Sequence, residues 1–208
     1  MAYKAVAHAD ISKSILMRRT KGLWQVEETV QRYKNSWLEV CEDRVIRPDG
    51  QVGSFATVKL RPGVSALAVD EARQVYLTRE FRYAIERDSI EVVSGAVEGD
   101  ELPLSAARRE LREELGIEAT EWIDLGSVDP LTSIIHSPAT LFLARKLSFL
   151  DPDCDSTEII QMVKVKLSQA VRMVMESEIT HGPSCVLILK TNHFLNGGRQ
   201  EFPDEHSK

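Results

Sequence analysis

The chain reads as an α/β protein, one mixed-sheet domain with an N-terminal β extension, and three observations point there. Short apolar runs, alternating or continuous, recur from Trp37 onward and are separated by turn residues. One segment, 104–115, shows the four-residue apolar recurrence of a helix laid against a core. Strand-like and helix-like segments then continue in mixed order to about residue 195, with no internal repeat and no Pro/Gly-rich linker.

Residues 1–36 read as an N-terminal arm, partly helical over 24–33, where periodicity is weak. The main domain is expected over 37–195. Its first segment, 37–46, alternates in polarity, and Asp49-Gly50 after it is a hairpin turn dipeptide. Strands over 55–60, 64–69 and 75–81 follow, punctuated by Pro62-Gly63 and Asp70-Glu71. A short strand at 90–93 leads directly into Ser94-Gly95. For the helix at 104–115, Pro103 suits the start and Gly116 the residue just past the end. Its Ala107, Leu111 and Leu115 form one apolar stripe. Strands at 123–128, 140–147 and 160–167, helices at 168–177 and 184–195, and a flexible tail at 196–208 complete the reading.

Composition narrows the function. The 208 residues are 43% hydrophobic and 28% charged, which is the balance of a globular protein. A net charge of −6 argues against a nucleic-acid binder, which needs a basic surface to neutralise phosphates. It leaves room for a phosphate-bearing small molecule, because a bound cation supplies positive charge locally. Cys41, Cys154 and Cys185 are odd in number and make no CxxC pair, so neither a zinc site nor a disulfide framework is indicated. No apolar run approaches membrane-spanning length, and the N-terminus lacks an uninterrupted apolar core of the secretory type. A cytoplasmic location, with no membrane and no nucleic-acid partner, is the expectation.

The chemistry concentrates in residues 95–117, GAVEGDELPLSAARRELREELGI. On the predicted helix Glu110, Glu113 and Glu114 share one face, where like charges repel. Hard cations bound through oxygen give three such carboxylates a purpose. Arg109 is placed to pair with a nearby carboxylate, and Glu101, in the loop before the helix, is a candidate partner.

The spacing is more specific than the glutamates. Gly95, five residues, Glu101, seven residues, Arg109-Glu110-Leu111, one residue, Glu113-Glu114, one residue, Gly116-Ile117 resembles the complete box of the Nudix hydrolases. The resemblance implies an α/β/α sandwich with a mixed sheet and a site for Mg²⁺ or Mn²⁺. Carried onto this sequence, it makes Glu110 and Glu114 direct ligands and Glu113 a third ligand or the activator of water. The Ser94 carbonyl completes the metal set, while Arg109 and Glu101 support it from behind. Gly95 and Gly116 become positions of close backbone approach or positive φ.

Outside the box, Leu77-Thr-Arg-Glu-Phe-Arg82-Tyr83 and Ser89-Ile-Glu91-Val-Val-Ser-Gly95 resemble the ADP-ribose pyrophosphatase-like branch of that family. The branch implies that Arg82 contacts a substrate phosphate, whose oxygens suit a guanidinium fork. His136-Ser137-Pro138 stands at that branch's Ser-Pro-Gly loop, with Ala139 in place of glycine. Glu158 falls in the acidic loop from which the branch draws its general base, and Asp151, Asp153 and Asp155 flank it as alternatives. The resemblance further implies a homodimer that hydrolyses ADP-ribose or a related nucleoside diphosphate sugar to a nucleoside monophosphate and a sugar phosphate. GDP-mannose, ADP-glucose or nucleotide sensing without cleavage are the alternative readings.

Overall fold

The computed structural model describes residues 14–15, 19–150 and 159–197. In chain order the first strands are β1 (Ser14–Ile15), β2 (Arg19–Lys21), β3 (Trp24–Lys34), β4 (Leu38–Ile46) and β5 (Val52–Leu60). Next come β6 (Gly63–Val69), β7 (Gln74–Arg82), a single 3₁₀ turn (Tyr83–Ile85), β8 (Arg87–Glu91), β9 (Val93–Ala96) and helix α1 (Pro103–Leu115). Strands β10 (Ile117–Val128), β11 (Ile135–His136), β12 (Ala139–Phe149) and β13 (Gln161–Lys166) precede α2 (Leu167–Met175) and α3 (Gly182–Leu195). Two compact units divide the chain: one up to Arg61 together with Leu131–Ser137, the other Pro62–Pro130 together with Pro138 onward.

The first unit is a sheet of order β1-β3-β4-β5-β11, with β2 also on β3. Asp49-Gly50 closes the β4–β5 hairpin, with Gly50 at φ 81° and its N–H donating to the Arg47 carbonyl at 2.9 Å. The partly helical arm expected over 24–33 is corrected here: that segment is the long strand β3. Its charged residues, which blur the periodicity, are used across the sheet. Arg44 Nε donates to Glu27 at 2.9 Å and Arg32 Nε to Glu42 at 2.8 Å. Val26 faces Val45 in register, and both are buried. Beside them Asp43, also buried, takes the Lys21 ammonium at 2.6 Å and the Thr29 hydroxyl at 2.5 Å. Pairing on both edges decides the conformation, as tertiary context commonly overrides a weak local preference.

The second unit is a mixed sheet of order β10-β12-β6-β7-β13, with β8 on β7 and β9 on β6. β12 runs parallel to β6, and the other pairs are antiparallel. Both faces of the central strands are covered, so their sequences are nearly continuous apolar runs. Leu67, Val69, Leu141 and Leu143 point to the side where Leu167, Ala170, Leu187 and Ile188 of α2 and α3 pack. Val64, Ala66, Ala68, Phe142 and Ala144 point to the opposite side, against Ala106, Ala107, Leu111 and Leu115 of α1. The unit is an α/β/α sandwich with α1 alone on one face.

Two elements differ from the sequence reading in ways that matter for the site. The strand expected at 90–93 is two strands, because the chain crosses from β7 to β6 at Val92. The Val92 N–H, taken out of the ladder, donates to Ser184 Oγ at 3.0 Å. β10 begins directly after α1 rather than at 123, anchored by the fully buried Ile117.

Leu111 seats α1 among Ala68, Tyr76, Val93 and Ile117 with no exposed surface. Leu111→Ala should lower unfolding free energy by about 2–5 kcal/mol, the range for a truncated core leucine. Urea unfolding measures it, and a loss below about 1 kcal/mol would mean that α1 is not held by this stripe.

Candidate active site

Helix α1 opens with Pro103 at its first turn and closes on Gly116 at φ 62°, whose N–H reaches back to the Leu111 and Arg112 carbonyls. The left-handed conformation at Gly116 turns the chain straight into β10 and costs a residue without Cβ nothing. With Ala106, Ala107, Leu111 and Leu115 turned into the core, Glu110, Glu113 and Glu114 are left on the outward side, each partly exposed.

Arg109 organises that side. Its Nη1 donates to Glu110 Oε1 at 2.8 Å and to Glu113 Oε2 at 3.1 Å. Its Nη2 donates to Glu101 Oε1 at 2.9 Å and to the Ala96 carbonyl at 3.1 Å. One guanidinium thus ties the helix to the loop before it and to the end of β9. The Glu101 carboxylate, then Glu110 and Glu113, hold Arg109 protonated well above its ordinary range. Arg109 and the Glu98 N–H in turn keep Glu101 below the usual carboxylate range.

Gly95 decides how close the helix comes to β9. A Cβ built on Gly95 would overlap Cγ, Cδ and Oε1 of Glu110, so the missing side chain is the space in which the carboxylate lies. Next to it, Ser94 is paired with Ser65 across β6 and β9, their hydroxyls 2.8 Å apart. The Glu110 carboxylate of α1 therefore lies against β9 at Gly95, and oxygen is the donor type that a hard divalent cation takes. Among the described residues no three His, Cys, Asp or Glu side chains converge as a preformed metal cluster. Glu110 and Glu113 are instead turned to Arg109.

Comparison with known proteins matches the NUDIX domain family to residues 59–180, more than half of the chain. The chain belongs to the Nudix family. Within it, residues 24–58 match the nucleoside diphosphate sugar hydrolase N-terminal domain, which covers β3 to most of β5. An ADP-ribose pyrophosphatase of Bacillus subtilis is 26% identical over 151 residues, 72% of this chain and 82% of the relative. A methanol dehydrogenase activator of Bacillus methanolicus is 25% identical over 167 residues, 77% of this chain and 88% of the relative. A solved structure titled ADP compounds hydrolase shares the fold, with TM-score 0.74 and 17% identity over 86% of this chain and 97% of its own.

Within the Nudix fold, Arg82 ends β7 and is held by two carboxylates. It lies 2.8 Å from Glu80 Oε2, and Nη2 and Nε reach Glu91 at 2.8 and 3.3 Å. Burial pushes the Glu91 carboxyl up, but Arg82 and His181 outweigh it and hold it below the usual range. His181 Nδ1 lies 3.4 Å from Glu91 and 2.8 Å from Ser184 Oγ, and burial pushes its imidazole below the ordinary value. Arg82 also feels the charge of Glu114. Glu80, His181 and Ser184 were not singled out as site residues from sequence. Glu80 was legible, because residues two apart on a strand share a face. His181 and Ser184 come from ninety residues away, and no local pattern marks them.

Of the other expected positions, His136 lies in β11 of the first unit, paired with Lys59 of β5. Glu158, with Asp151, Asp153, Asp155 and Cys154, lies outside the described residues.

The contact of Gly95 with Glu110 gives a test that separates site from scaffold. Gly95→Ala pushes the Glu110 side chain, Cγ included, off its seat beside Arg109, and that loss offsets the gain of about 0.4–1 kcal/mol from a stiffer unfolded chain. Unfolding midpoints without metal should therefore change little, while divalent-cation affinity by calorimetry falls. An unfolded variant, or one with unchanged divalent-cation affinity, contradicts this account of Gly95.

Proposed function

We propose that this Nudix protein hydrolyses the pyrophosphate bond of ADP-ribose or a related nucleoside diphosphate sugar, using Mg²⁺ or Mn²⁺. The observation that carries the reading is the seating of Glu110 against Gly95, the residue after Ser94, under the Arg109 clamp. The match of residues 24–58 to the nucleoside diphosphate sugar hydrolase N-terminal domain supports the substrate class, as does the relative named ADP-ribose pyrophosphatase.

Glu110, Glu114 and the Ser94 carbonyl would hold the metal, with Glu113 a third ligand or the group that orients water. A divalent cation bound there supplies charge neutralisation for the diphosphate and acidifies water. Arg109 fixes the rotamers of Glu110 and Glu113 and balances part of their charge. Glu80 and Glu91 hold Arg82, which feels the charge of Glu114, and its remaining donor capacity would serve a substrate phosphate. In the reaction, water oxygen bonds to one phosphorus and the bridging P–O bond breaks. The proton of the water passes to a carboxylate, for which Glu158 is our candidate. A nucleoside monophosphate and a sugar phosphate leave.

ADP-ribose incubated with the protein should yield AMP and ribose 5-phosphate by chromatography, only with Mg²⁺ or Mn²⁺ present. Glu114→Gln should lose activity that is partly regained at high Mg²⁺. Glu158→Gln should lose about 10²–10⁴ in rate with no recovery by Mg²⁺, because removal of a general base leaves metal binding intact. Tight binding of ADP-ribose without turnover of any diphosphate sugar would favour a sensing role instead. Near-wild-type rates in Glu158→Gln would remove that residue from the mechanism.

A further inference from the structure

On the side of α1 next to the glutamate face there is a cleft of ≈ 530 Å³, within the second unit. Arg108, Arg109, Arg112 and Glu113 line it from the helix, and Glu118 and Trp122 from β10. That volume is in the range of small-molecule sites, about 300–1,000 Å³.

The lining is organised around Trp122. Its indole Nε1 donates to the Ala119 carbonyl at 3.0 Å, and its ring meets Phe142 edge-on at 6.3 Å, which together fix its plane. The Arg108 guanidinium lies over that ring, 5.9 Å from its centre. Among the described residues the Arg108 guanidinium makes no hydrogen bond or ion pair. Arg112, one turn further along the helix, makes a single loose ion pair with Glu118 at 3.6 Å between two exposed side chains. Two guanidinium groups with unspent donors therefore border an immobilised indole. Glu113, by contrast, is engaged by Arg109.

We propose that this cleft binds the nucleoside 5′-phosphate group. A base would stack on the Arg108–Trp122 pair, since aromatic faces and guanidinium planes both accept nucleobases with little sequence preference. A phosphate would take the free donors of Arg112 and Arg108 in the bidentate manner that guanidinium favours. The lining carries three arginines and two glutamates, and of the arginines only Arg109 is committed to several carboxylates. Glu113 borders both the cleft and the proposed metal face, so two sources can present this chemistry. One is the nucleoside end of a bound diphosphate, and the other is a free nucleoside monophosphate. The proposal concerns binding and stands whether or not hydrolysis is observed.

The test is calorimetric titration of the full chain with AMP and with ribose 5-phosphate, in EDTA so that no metal-bound phosphate contributes. AMP should bind more tightly than ribose 5-phosphate. Arg108→Ala and Trp122→Phe should each weaken AMP by roughly 3–30-fold, the span expected for a stacked guanidinium–aromatic contact. Near-ultraviolet circular dichroism of Trp122→Phe and Arg108→Ala confirms that both are folded. No AMP binding at millimolar concentration, equal affinity for the two ligands, or unchanged affinity in both folded variants overturns the proposal. AMP competitive with a diphosphate substrate assigns the cleft to the substrate's nucleoside end, and mixed inhibition assigns it to the free mononucleotide; both uphold the site.

Discussion

Three carboxylates on one face of a helix repel one another, and the candidate site is organised by how that repulsion is contained. Glu110, Glu113 and Glu114 stand at spacings where like charges cost an isolated helix about 0.2–0.5 kcal/mol per pair. Arg109 offsets part of this by donating to Glu110, Glu113, Glu101 and the Ala96 carbonyl at once. Arg82, which feels the charge of Glu114, is held by Glu80 and Glu91. The face keeps three carboxylates together, oxygen chemistry that the divalent cation we propose would take.

The surrounding sandwich follows from that requirement. A helix with one strongly acidic side is held by burying the other, and Ala106, Ala107, Leu111 and Leu115 do so against a sheet whose residues alternate between two cores. Small residues at the contact, Ala106, Ala107 and above all Gly95, let helix and strand approach until the Glu110 carboxylate lies where a Gly95 side chain would be. The crossing at Val92, held by Ser184 from α3, sets where β9 starts and hence where Ser94 and Gly95 lie.

Much of this was legible in the chain. The apolar run Leu141-Phe-Leu-Ala marked a strand, which proves to be covered on both faces, and Pro103 and Gly116 bracketed α1 to within a residue. The box spacing pointed to the family, and the Arg109–Glu101 pairing proposed from sequence is present at 2.9 Å. What could not be read had non-local causes. β3 looked weakly helical because its charges balance partners on β4, at positions 42 and 44, rather than a helix face. The clamp on Arg82 includes a neighbour two residues away but also reaches His181 through Glu91, and sequence distance hides such a link. The split of the expected strand at 90–93 depended on which neighbours β8 and β9 would find.

The central claim, that the acidic face is built for a cation and not for stability, is tested most directly by unfolding as a function of Mg²⁺ concentration, with no substrate and no activity readout. Ligand that binds only the folded state adds about 2.7 kcal/mol at one hundred times its dissociation constant. Wild-type protein should show this concentration-dependent rise in stability, and the double variant Glu110→Gln/Glu114→Gln should lose it. A wild-type midpoint indifferent to Mg²⁺ and Mn²⁺, or a double variant that rises in parallel with wild type, would contradict the account.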